Sequence, residues 1–244
     1  MKKIILAIFI ILQATVCFGQ VGSRNLDNSG DRITQGDIFD AGDGESISLC
    51  SMVKLTEDAS VDALIGTKTT TGSGYHIVQE TTDVTSFTIV ETPGAGGSSV
   101  TSPLSTDIDG VWAKVCATWD GSGDITRIYL NGVEEDNTDS ANIGDCTTGA
   151  FFRMGADGAA TADYDGNGLW SYQAVWDLVI LTPAQINEFN WNPEIVGITP
   201  SMLIAVWGAS SEKDLSPTND PASITNTTTS TDGPAVMFGG GLPL

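Results

Sequence analysis

Apolar and polar residues alternate one by one along much of the chain. In ESISLCSMVKL, Ile47, Leu49, Val53 and Leu55 keep to every second position, and in VWAKVCATW the same holds for Val111, Ala113, Val115 and Ala117. A period of two marks a strand with one face buried. Further β-type runs cover residues 62–68, 75–80, 86–92, 126–134, 150–154 and 168–180. Gly72, Gly74 and the cluster from Pro93 to Gly97 punctuate them, and Asp120-Gly121 joins the run at 110–119 to the run at 126–134. Asn131-Gly132 is the dipeptide of a tight hairpin turn, because both positions tolerate positive φ. Six or more strands with such turns predict an all-β sandwich. A single helix is expected near 183–190. Thr182 stands at its N-cap, Pro183 at its first position, and Gln185 completes a capping box. Ile186 and Phe189 would face the sheet, and Pro193 stops the helix.

The ends of the chain depart from this pattern. Residues 1–19 read as a signal peptide, with Lys2 and Lys3 ahead of a short apolar run from Ile4 to Leu12 and cleavage expected after Gly19. The run is too short to span a bilayer, and no later run is long enough. Val16 is a poor lead-in for lipid attachment at Cys17. Residues 20–192 form the predicted domain. Residues 193–244 are rich in Ser, Thr, Pro and Gly and read as an appendage. Within it Met202 to Trp207 makes one further apolar run. The remainder reads as an added edge strand, a subunit contact or a linker.

Net charge sharpens the picture. It is −21, and removal of Lys2 and Lys3 takes it to −23. Such a surface repels phosphate backbones, so nucleic acid is not an expected partner, whereas divalent cations and neutral glycans are compatible. Four cysteines are encoded, and Cys50, Cys116 and Cys146 survive signal removal. Cys50 and Cys116 both lie in mid-strand. An exported protein keeps a disulfide, but two buried free thiols satisfy the same spacing. Cys146 is then either buried or a link between subunits.

SISLCSMVKL, followed by WAKVCATWDGSGDITRIYLNGV, resembles the two cysteine-bearing strands of pentraxins and of the wider laminin-G-like, concanavalin A-like superfamily. NLDNSGDRITQG resembles the group's opening strands, and YDGNGLWSYQAVWDLVILTPAQINEF its closing element, so the likeness runs from residue 24 to 192 in the family's order. The resemblance implies a two-sheet antiparallel jelly roll and a Cys50–Cys116 bridge. It also implies a secreted, lectin-like, non-catalytic module that binds carbohydrate or another surface ligand in adhesion.

Candidate chemistry is sparse. His76 is the one histidine and sits in a strand-like run. The glucanases of this fold carry E-x-D-x-x-E on one strand face. Nothing here matches, and Glu134-Glu135-Asp136 reads as a solvated end. No enzyme activity is expected. Asp163, Asp165 and Asn167 offer oxygen ligands at alternate positions around Gly166, a pattern that suits Ca²⁺ and equally a plain turn. The loops from Asp40 to Glu45 and from Asp120 to Asp124 admit the same two readings. Where pentraxins place a calcium cluster, only Asp157 stands. Trp112, Trp119 and Trp176 are expected in the core, and Trp170 and Tyr172 as the exposed sugar-stacking rings. The alternative function is an assembly subunit of a virion, filament or cell surface, a homo-oligomer using Cys146 and the tail.

Overall fold

The computed structural model describes residues 18–20, 23–26, 31–36, 39–56, 61–68, 72–80, 84–91, 99–139, 143–147, 150–156, 166–189, 198–207, 211–214, 223–225, 228–230 and 235–237. The first strands are β1 (Phe18–Gln20), β2 (Ser23–Leu26), β3 (Arg32–Gly36), β4 (Ile47–Leu55), β5 (Asp62–Gly66) and β6 (Gly74–Gln79). Then come β7 (Thr85–Val90), β8 (Ser99–Pro103), β9 (Ala113–Asp120), β10 (Ile125–Leu130), β11 (Val133–Asp139), β12 (Phe152–Met154) and β13 (Gly168–Asp177). Helix α1 (Pro183–Glu188) precedes β14 (Met202–Trp207), β15 (Ser211–Asp214), β16 (Ser223–Thr225), β17 (Thr228–Ser230) and β18 (Ala235–Met237).

Among the described residues one sheet has the order β11-β10-β9-β4-β13-β14-β15, with β2 also on β13 and β17 on β2. The other has the order β16-β3-β12-β5-β6-β7-β8, and every pairing of named strands is antiparallel. Leu49, Val53, Val115, Trp119 and Val175 of the first sheet bury against Leu64, Tyr75, Ile77, Phe87 and Phe152 of the second. Alternation sends the intervening residues the other way. Cys50, Cys116, Tyr129, Tyr172, Ala174 and Trp176 form a second core on the outer face of the large sheet, closed by Leu181, Ile186 and Phe189. Cys50 and Cys116 are register partners of β4 and β9, 4.1 Å apart at Cα, and they are disulfide-bonded. That separation suits the close pairs of an antiparallel ladder.

Asn131 and Gly132 both take positive φ, at 51° and 91°, so the hairpin turn forms as the dipeptide predicts. The run expected at 126–134 is therefore two strands, β10 and the start of β11. The Glu134-Glu135-Asp136 run is part of β11 itself, an acidic edge strand of the kind that resists edge-to-edge pairing. β13 stops at Asp177, short of the expected Ile180, because Leu178 takes φ 60°. The tail does more than add one strand. β14 lines β13, β15 lines β14, and the last three strands run back along the first three, β16 on β3, β17 on β2 and β18 on β1.

Helix α1 has the predicted box. Gln185 N–H donates to Thr182 Oγ1 at 3.3 Å, and Thr182 N–H donates to Gln185 Oε1 at 2.8 Å. Phe189 meets Trp176 edge-on at 4.8 Å between ring centroids. At the helix end Lys114 Nζ donates to the carbonyls of Ile186 (3.0 Å) and Phe189 (2.7 Å). Burial pushes this ammonium down to about 8, so it remains charged at neutral pH and complements the helix C-terminus. Lys114→Met strands both carbonyls and is expected to cost about 2–3 kcal/mol, read as a lower urea midpoint. An unchanged midpoint would refute this role for Lys114. No helix among the described residues is long and apolar enough to cross a membrane.

Candidate functional site

Ile47 at the start of β4 is the register partner of Trp119 on one side and of Asp177 on the other. The loops at 39–46, 120–124 and 177–181 therefore leave the large sheet at the same end. The first two touch backbone to backbone: a Cβ on Gly121 would lie 2.0 Å from the Glu45 carbonyl oxygen. Only glycine fits there. Loop 39–46 is braced from several sides. Tyr75 Oη donates to the Phe39 carbonyl, the Phe39 ring packs edge-on against Phe152, and Cys146 N–H donates to Ala41 O at 2.9 Å.

Between these loops lies a cleft of about 210 Å³, lined by Asp43, Glu91, Gly121, Asp124, Ile143 and Gly144. Two neighbouring carboxylates are spent on the loops themselves. Glu45 Oε2 accepts from Gly42 N–H at 2.8 Å, and Asp120 Oδ1 accepts from Ser122 N–H (3.1 Å), Ser122 Oγ (2.8 Å) and Gly123 N–H (3.1 Å). The local field is negative. The carboxyl of Asp177 is raised by burial, then by Glu45 and Asp40, against the backbone N–H of Leu178. The thiol of Cys146 is pushed up to about 12 by burial, Asp145 and Glu91. Such a cleft accepts hydrogen bonds from hydroxyl groups and repels anions.

The rings expected to be exposed are not. Trp170 and Tyr172 are each 1% exposed. A bulge between them breaks the period of two, so Trp170 enters the inter-sheet core and Tyr172 the outer one. Trp170 Nε1 donates to Leu64 O at 3.4 Å, and neither ring offers a face for stacking. Trp119 and Trp176 are buried as expected, and Trp112 is half-buried. Cys146 is 1% exposed and therefore not presented to a second subunit.

Asp157, Asp163 and Asp165 lie outside the described residues. Asn167 lies at the opposite end of the large sheet from the cleft, where Gly168 pairs with Leu55. Its N–H donates to Asp62 Oδ1 at 2.7 Å, and its carbonyl accepts from Thr56 N–H at 3.0 Å. Among the described residues no group of three or more His, Cys, Asp or Glu side chains is arranged to hold a metal ion. The Asp-Gly loops at 40–45 and 120–124 come together around the cleft. The Asp-Gly pattern marks these loops in the sequence, whereas Glu91 and residues 143–144, which join them from distant parts of the chain, carry no such mark.

The two packed antiparallel sheets make this protein a jelly-roll sandwich. Residues 27–187 match a laminin G type family of the concanavalin A-like lectin/glucanases superfamily, and the chain belongs to it. Among solved structures, the heptameric SAP-like pentraxin of Limulus polyphemus superposes with a TM-score of 0.56 at 13% identity, over 86% of this chain and 96% of that one. A candidate carbohydrate binding protein from Bacteroides ovatus gives 0.63 at 18% identity, over 90% of this chain and 62% of that one. The CBM40 of the Ruminococcus gnavus IT-sialidase, bound to α2,3-sialyllactose, gives 0.50 at 14% identity, over 70% and 94% of the two chains. No curated protein matches the chain in sequence.

Proposed function

We propose that this chain is a non-catalytic carbohydrate-binding module of the extracytoplasmic space. The observation that carries the reading is the carboxylate-lined cleft at the loop end of a lectin-type sandwich. Asp43, Glu91 and Asp124 supply acceptors for sugar hydroxyls, and Ile143 supplies an apolar wall for ring carbons. The carboxylates stand on loops, unlike the E-x-D-x-x-E set that the glucanases of this fold carry on one strand face. The leader at residues 1–19 and the disulfide support export. Calcium held by Asp163, Asp165 and Asn167 belongs to the same proposal.

The test is a glycan array probed with residues 20–244, with and without chelator. Neutral oligosaccharides are expected to bind. The pair Asp43→Asn and Asp124→Asn is expected to weaken binding at least tenfold, since each charge-assisted bond is lost. Loss of binding on chelation, reproduced by Asp163→Ala, would support the calcium site. Silence across a broad array, or affinity untouched by the pair, would refute the cleft as the binding site.

A further inference from the structure

Ser51 and Gln173 are register partners across β4 and β13. Leu49, Val53 and Val175 on the same strands belong to the inter-sheet core, and alternation turns Ser51 and Gln173 towards that same face. Ser51 is 0% exposed and Gln173 2%. Neither Ser51 Oγ nor either end of the Gln173 amide, Oε1 or Nε2, has a hydrogen-bond partner in the protein. Buried polar groups left in that condition are rare, because each has given up its bonds to water and received nothing in return.

Register sets the two side chains side by side on that face. Side chains directly opposite in an antiparallel pair have Cβ atoms about 4.5–5.5 Å apart. A direct bond between the hydroxyl and the amide satisfies one end of Gln173 and leaves the other orphaned. A water molecule has two donors and two acceptor sites. It accepts from Nε2 and from the Ser51 hydroxyl, and it donates to Oε1, which makes the three bonds typical of internal water. We propose that Ser51 and Gln173 hold one internal water molecule in the sandwich core. The site ties together β4 and β13, next to the join with β14, where Gln173 is also the register partner of Ile204. It does not depend on what the cleft binds.

A crystal structure of residues 20–244 is expected to show a solvent peak within about 3.2 Å of Ser51 Oγ and of the Gln173 amide. Urea unfolding of Ser51→Ala, Gln173→Leu and the double variant gives a second readout. Each single variant is expected to lower the midpoint, and the double variant by less than the sum, because the first truncation already releases the water. Single variants that raise the midpoint additively would overturn the proposal. So would density showing the two side chains bonded directly with no solvent between them.

Discussion

Replacing Cys50 and Cys116 together by alanine is expected to lower the unfolding free energy by about 4 kcal/mol. The bridge spans a sequence separation of 66 residues, and chain-entropy reasoning for a loop of that size sets the figure. Both sulfurs lie in the outer core beneath α1. Reductant is therefore expected to act only when that core opens, so the native protein resists dithiothreitol until denaturant is added. Guanidinium unfolding of the double variant beside the oxidised protein measures the effect. Equal midpoints would mean that the bridge contributes nothing to stability.

Acid is expected to destabilise the protein through His76. The residue is 4% exposed on β6, and its imidazole is lowered to about 3, first by burial and then by Lys68. The unfolded chain takes up a proton near pH 6.5, whereas the folded chain does not until about 3. Stability therefore falls as pH drops from 6.5 towards 3, and is unaffected by this group above 6.5. The full window is worth about 4 kcal/mol. Neutralising carboxylates relieves self-repulsion at the same time, so the comparison needs a control. His76→Gln is expected to lose up to about 3 kcal/mol less than the parent between pH 6.5 and 4. Parallel pH profiles for the two proteins would show that His76 does not couple folding to acid.

Features with local chemistry were legible in the sequence. The capping box at Thr182 and Gln185 and the turn at Asn131-Gly132 are set by residues within four positions of each other. Cys50 and Cys116 were placed correctly because both sit in runs of clean alternation, and the family likeness then implied the pairing. At Trp170 and Tyr172 a spacing of two promises a shared face, and a bulge at Ser171 reverses that. The cleft is not legible in the sequence, since positions 43, 91, 124 and 144 meet only once loops from both sheets are stacked. The strands at 223–225, 228–230 and 235–237 are three residues each, too short to show a period.

The pairing of β17 with β2 brings Ser230 opposite Ser23, within the chain that remains once residues 1–19 are removed. The entry and exit of the polypeptide therefore share one corner of the domain. A linker of a few residues should join them, and a circular permutant opened at the exposed Gly123 is expected to fold, as circular dichroism would show. Anything joined to the chain just beyond β2 or β17 therefore meets the same corner of the sandwich.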